Sequence, residues 1–263
     1  MPISTYAGYV ERVTTPSLRI RNTKNSILPS SHRLTSFWTR SPFAGAIPGA
    51  AAICTRALAG AMPIQTFSRV ARVAQVEGEV ATAGTLIIAD RLFHMSGLSG
   101  ILTAPQTVTP LSLTRYPDGV GVLAALEIYS LVGSTATTAT ITYTDDADIV
   151  RVSPTTAFGG TEFREVDRAI PIPWAQGSRG VKSVSDVTLA ATTGTAGNFG
   201  VTLYRPLMVI PELGHPQAFG VDALLGLAGN LATIWPDACL VPLVFSIASS
   251  FGPYNLEIRV IEE

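Results

Sequence analysis

The sequence predicts a mainly β protein: an antiparallel β-sandwich or jelly-roll-like body preceded by an extended N-terminal arm. Three observations carry this. From Thr66 onward, short runs rich in β-branched and aromatic residues recur every 10 to 20 residues or so, with Gly, Pro, Asn and Asp between them. Helical spacing is confined to Phe219–Leu227, and no strands alternate with long helices, which disfavours a doubly wound nucleotide-binding fold. Charge is also split by position. Residues 1–76 carry nine Arg/Lys against a single acid, Glu11, while the rest of the chain carries nine against eighteen, and the whole nets −1. A basic end joined to an acidic body suits a chain whose end rests on a neighbour.

Residues 1–40 are rich in Thr, Ser, Asn and Arg, show no sustained apolar period, and read as the arm. Phe37 and Trp38 close it and suit a pocket, on this chain or on a partner. Residues 41–64, SPFAGAIPGAAAICTRALAGAMPI, form an Ala/Gly-rich connector with at most one short helix near Ala50–Ala59. The chain therefore divides into arm and connector (1–65) and body (66–263). Expected strands of the body are Phe67–Val76, Thr85–Leu92, Val120–Tyr129, Thr138–Thr144, Ile149–Val152, Val181–Leu189, Phe199–Leu207, Leu240–Ile247 and Asn255–Ile261. Thr138–Thr144 alternates Thr against Ala, Ile and Tyr, as a half-buried strand does. No fixed repeat is visible, which argues against a propeller or solenoid.

At 263 residues the chain can bury a sizeable core. Charged residues make up 14%, well below the usual ~25%. So little charge leaves a free monomer poorly soluble, and other subunits covering much of the surface would resolve this. Lys24 and Lys182 are the only lysines. The Arg bias fits either interface contacts or a GC-rich genome. Cys54 and Cys239 are too few for a disulfide framework and read as buried small apolar residues. Met1–Gly8 has no apolar core of a secretory signal, and neither Phe43–Ile64 nor Ala238–Ser246 reads as a membrane helix.

Chemistry-bearing residues do not converge. None of His32, His94 and His215 has companions at metal-ligand spacing; His94, in DRLFHMSG, reads as a hydrogen-bonded histidine at a strand end. Asp145, Asp146 and Asp148 read as a solvated turn in preference to a calcium loop, lacking the glycine and distal Glu of a helix–loop–helix site. Glu162, Glu165 and Asp167 are interleaved with Arg164 and Arg168, and nothing pairs two of them across a cleft. Ser96 and Ser99 do not form a nucleophile elbow, and there is no phosphate-binding loop. No enzyme activity, cofactor or metal is expected. The scattered arginines of the arm favour a protein partner over nucleic acid. The candidate inter-subunit contacts are Arg12, Arg19, Arg21, Arg33, Phe37, Trp38 and Arg40.

One series of segments is similar to a known group. DRLFHMSGLSG (Asp90–Gly100) is followed by TAPQTV, GVLAALEIYS, the Thr-rich TATTATITYTD and finally VTLYRPLMVIP. That order resembles structural proteins encoded in tailed-bacteriophage genomes. The resemblance covers about 84–211, rests on turn and strand signatures, and brings no catalytic residues. It implies a virion component. Assembly in the host cytoplasm with other virion proteins is expected with it, a homo-oligomer follows from the low charge, and the hydropathy gives no membrane partner. The low charge and the arm favour a capsid-associated decoration or minor head protein. The alternatives are a neck or tail component, or a carbohydrate-binding β module of a host-recognition fibre using Trp174 with Gln176 or Trp235 with Asp237.

Overall fold

In the computed structural model the described residues are 18–24, 33–40, 43–80, 84–212, 217–222, 232–246 and 254–262. They form three antiparallel sheets and no helix, so the expected all-β class holds. The body is organised around two strands, β5 (Gly84–Leu98) and β13 (Asn198–Glu212), which are 15 residues each and paired along their whole length. They form the middle of a seven-stranded sheet. On one side of the pair stand β7 (Leu123–Ser130) and then β11 (Ala169–Ile172). On the other stand β16 (Leu240–Ser246) and β2 (Arg33–Ser36), while the short β3 (Ala52–Ile53) pairs with the far end of β5. A Thr35–Arg168 bridge and a Ser36 N–H to Asp167 carbonyl bond of 2.8 Å bring the two edges together. The sheet thus curls into a near-closed barrel, which removes most of its exposed edge.

Alternation then decides what each face does. Ala89 on β5, Ala125 and Tyr129 on β7, Tyr204 on β13, and Val241 and Leu243 on β16 share one core with Trp38 and Cys54. Outward-facing neighbours serve two other cores. Ala124, Leu126, Ile128, Phe199, Val201 and Leu203 pack against a five-stranded sheet of β6 (Gln106–Thr107), β8 (Ala136–Asp145), β9 (Val150–Val152), β10 (Thr156–Gly159) and β12 (Val181–Leu189). Leu86, Ile88, Ile210, Leu240 and Val244 pack instead against a second five-stranded sheet. Its members are β1 (Leu18–Lys24), β4 (Ala71–Val80), β14 (Gln217–Asp222), β15 (Thr233–Ile234) and β17 (Tyr254–Glu262).

β5 and β13 reach both outer cores because they are bulged. The register passes from Leu203–Phe93 to Tyr204–Arg91, leaving Leu92 as an extra residue, so Leu92 and Phe93 both join the same core. A second shift follows Pro206, where a strand tolerates the missing N–H. Gly200 lies at a third shift, where an added Cβ would fall 1.7 Å from the Met95 carbonyl oxygen.

Several expectations need correction. The expected strands Thr85–Leu92 and Phe199–Leu207 run on to Leu98 and Glu212, so Asp90–Arg91 and Tyr204–Pro206 lie well inside β5 and β13. Residues 219–222 belong to β14, whose pairing with β4 overrides a weak helical spacing, and 223–227 fall outside the described residues. Around Ala50–Ala59 there is a strand and turns where a helix was considered. Inside the stretch read as an arm, β1 pairs with β17 and β2 with β16, so these strands belong to the body's own sheets.

Candidate functional site

The most concentrated chemistry lies where the barrel interior is closed by residues 44–62, a strap laid over its end. Trp38 anchors the strap. Its Nε1–H donates to the Ala46 carbonyl at 2.8 Å, and its own carbonyl accepts from Gly45 N–H at 2.8 Å. A Cβ at Gly45 would lie 2.3 Å from the indole, and one at Gly60 2.5 Å from it, so the Ala/Gly composition lets the chain clasp the ring from two sides. Farther along, β3 pairs with β5 at His94 and Phe93, and the Cys54 N–H donates to the Leu92 carbonyl at 2.9 Å.

Beneath the strap, Arg91 is fully buried with its guanidinium 4.3 Å over the Trp38 ring. It pairs with Glu127 at 2.8 Å, donates to the hydroxyls of Tyr204 and Tyr129 at 2.9 Å each, and donates through Nε to His94 Nδ1 at 3.2 Å. Glu127 also accepts from the Thr202 and Tyr129 hydroxyls, at 2.7 and 2.8 Å. Burial alone would raise the Glu127 carboxyl, but the charge and hydrogen bond of Arg91 hold it down at about 2. The Tyr204 hydroxyl is pushed well above its ordinary range by burial.

A second arginine ties four segments together. Arg115 makes a bidentate pair with Asp90 through Nε and Nη2 at 2.8 and 2.9 Å, bonds Asp237 at 3.0 Å, and donates to the Cys54 carbonyl at 2.8 Å. Asp90 also accepts from the Cys239 N–H at 3.0 Å. Burial nevertheless pushes the Asp90 carboxyl up to about 6, against the pull of Arg115. Between the two arginine systems sit the Cys54 and Cys239 thiols, both free, fully buried and in one core. Burial opposes a Cys54 thiolate, but bonds from Cys239 and His94 and the charge of Arg91 bring the thiol down to about 5. Cys239 is pushed up, first by its bond to Cys54 and then by burial. Chemically this is a closed brace, with each charge met by a partner on a distant strand and little contact with solvent.

The other singled-out residues are dispersed. His94 is buried in the brace in mid-strand, correcting its expected place at a strand end. Asp145 is enclosed, correcting the solvated turn. It accepts the N–H groups of Ala147 and Ile149 at 2.9 Å each and Arg151 Nε at 3.0 Å. Asp146 pairs with Arg179 at 2.8 Å and Asp148 with Lys182 at 2.7 Å, so all three carboxylates have cationic partners. Among the described residues no group of three or more ligand-type side chains converges as a metal site would.

Of the candidate inter-subunit residues, Phe37 and Trp38 are buried within their own chain and do not form a partner-facing plug. Arg33 pairs with Glu162 and Arg40 with Asp167, so these two meet acids of their own body. The side chains of Arg19 and Arg21 in β1, and all of Arg12, lie outside the described residues, as do His32 and His215. Trp174 and Trp235 are half-buried against the two outer cores, and Asp237 is engaged by Arg115. The opposite mouth of the barrel holds an apolar groove of about 560 Å³ lined by Leu34, Ile87, Leu123, Ala169, Pro171 and Phe245. The buried Arg115 and Glu127 carried no local signal in the sequence, because their partners are remote along the chain.

Fold and brace together define an antiparallel all-β protein whose buried ionisable groups serve cohesion. No family model matches the chain, and no curated protein does either. Among solved structures it is similar at 9% identity to that of infectious bursal disease virus, Gt strain, covering 94% of this chain and 82% of that one with a TM-score of 0.21. The VP2 subviral particle of the same virus matches at 9% identity, covering 95% and 83%, with a TM-score of 0.22. Likenesses at this level carry no argument about topology or role.

Proposed function

We propose that this chain is a structural component of a bacteriophage virion, capsid-associated as a decoration or minor head protein, and that it works by packing against other subunits without catalysis. The observation that carries the reading is β9. This three-residue strand pairs with β8, and Ile149, Val150 and Val152 are 46%, 68% and 61% exposed. An apolar strand at a sheet edge is a liability in a free monomer and an asset where a neighbour covers it. The resemblance to tailed-phage structural proteins supports the same reading, since it spans this strand. No helix among the described residues is long and apolar enough to cross a membrane.

The test replaces Val150 and Val152 together by lysine. Both side chains face solvent, so the isolated chain should melt within about 0.5 kcal/mol of the parent. Self-association in sedimentation and incorporation into particles, read by mass spectrometry, should be lost. Normal incorporation of V150K/V152K removes the basis of the proposal. Recovery of the parent in a tail fraction instead of heads would move it to the neck or tail. Of the N-terminal segment only residues 1–17, with Arg12 balanced by Glu11, are removed in a further test of incorporation, because a deletion to residue 40 also strips β1, β2 and Trp38 from the body.

A further inference from the structure

The brace contains one feature that cohesion does not need: two thiols, far apart in sequence, side by side in the interior next to Arg91 and His94. Cys54 belongs to the strap and Cys239 to the segment entering β16; both are buried in one core, and they stand side by side along β5, Cys54 bonded to Leu92 and Cys239 to Arg91. Their backbones are fixed by the same neighbours. The Cys54 N–H bonds Leu92 and the Arg91 N–H bonds the Cys239 carbonyl, at 2.9 and 2.8 Å. Arg115 holds the Cys54 carbonyl while its partner Asp90 holds the Cys239 N–H. Arg91 and His94 favour a thiolate at Cys54, the form that reacts.

We propose that Cys54 and Cys239 are an oxidisable pair that closes into an intramolecular disulfide, locking the strap onto β16 when the protein meets a hydroperoxide such as hydrogen peroxide. The Cys54 thiolate attacks one peroxide oxygen, the O–O bond breaks, and the departing hydroxide takes up the proton that Cys54 released, giving water and a Cys54 sulfenic acid. The Cys239 sulfur then attacks the Cys54 sulfur. The S–O bond breaks, and the hydroxyl leaves as water with the Cys239 proton. Two thiols and one peroxide become one disulfide and two waters. Arg91 is not stranded when the Cys54 charge disappears, because Glu127 stays 2.8 Å away.

Both sulfurs are buried, so the oxidant enters when the strap opens, and closure is slower than oxidation of an exposed thiol. The link encloses most of the chain, and a loop that long should raise the melting temperature by about 10 °C.

The experiment compares full-length protein kept in reductant with protein treated with hydrogen peroxide, free cysteine serving as an oxidation control. Expected are the loss of two hydrogens from the intact mass, a Cys54–Cys239 linked peptide in a non-reducing digest, and a higher melting temperature that reductant reverses. In Cys239→Ala, Cys54 should be trapped by dimedone as the sulfenic acid, and the melting temperature should not rise with peroxide. The proposal is overturned if the mass is unchanged once the control is fully oxidised. It is equally overturned by a link between two chains, by sulfinic acid at Cys54 without a link, or by a link that leaves the melting temperature unchanged or lower. The comparison within the parent chain needs no variant, so poor folding of Cys239→Ala leaves the test decisive.

Discussion

Two groups of carboxylates in this molecule face cations, and their surroundings make them opposites. Glu127 and Asp90 are enclosed between sheets and strap, each held by an arginine that is itself buried. Beyond the end of β8, Asp148, itself 77% exposed, meets Lys182, while at Asp146 only the partner Arg179 is exposed and the carboxylate is enclosed. The bond lengths are nearly the same. The difference lies in what happens when one partner is removed: a buried partner is left in a medium that cannot solvate it, whereas a surface partner turns to water.

The largest effect that separates the two groups is expected from Glu127→Ala, which leaves Arg91 uncompensated. It should cost about 3–5 kcal/mol, read as a lower denaturation midpoint in urea. Replacing both partners, Arg91→Met with Glu127→Leu, should recover much of that loss, because the charges leave together. An equal or greater loss in the double variant would show that the Tyr129, Tyr204 and Thr202 bonds carry the brace instead.

The next effect lies in pH dependence. The folded Asp90 carboxyl is raised from an ordinary 3.8 to about 6, so the folded state binds the extra proton and stability falls as pH rises through that window. The folded Glu127 carboxyl is lowered from 4.5 to about 2, so its contribution is present above the ordinary value and is lost as pH falls towards 2. Together these two groups place a maximum at about pH 4, and above about pH 5 the lowered Cys54 thiol adds a rise that opposes the Asp90 limb. Asp90→Asn should flatten the limb above that maximum and leave the acid limb intact, as followed by thermal melts across pH. An unchanged upper limb would reassign it to another group.

Smaller still is Asp145→Asn. The change weakens the bonds from Arg151 and from two backbone N–H groups of its own turn, so the melting temperature should drop measurably but by less than in Glu127→Ala. The smallest effect is expected from Asp148→Asn, which should lie within about 0.5 kcal/mol of the parent. Calcium or chelator should leave both melting temperatures unchanged, since each carboxylate already has its cation.

Elements governed by local pattern were legible in the sequence. Val181–Leu189 was expected as a strand with the bounds that β12 shows, and Ala139, Ile141 and Tyr143 face inward as the Thr alternation predicted. Elements governed by distant partners were not. Asp90, Arg91 and His94 look like a strand's polar end until Arg115 and Glu127 arrive from elsewhere to neutralise them. The split of charge was real, but for Arg33 and Arg40 the complementary acids are Glu162 and Asp167 of the same chain. The glycines flanking Trp38 looked like linker composition, although they are the surface on which the indole is seated.

The pairing of β5 with β13 also sets a timetable for synthesis. More than a hundred residues separate the start of one strand from the start of the other, and β1 pairs with β17 near the far end of the chain. While a ribosome adds about 5–20 residues per second, both outer cores wait for β13 and one of them also waits for β17. During those roughly 5–25 seconds the long apolar β5 has no permanent partner beyond its short pairing with β3. The emerging chain is therefore a natural client for chaperones that shield single strands, and synthesis slowed between residues 98 and 198 would lengthen that exposure.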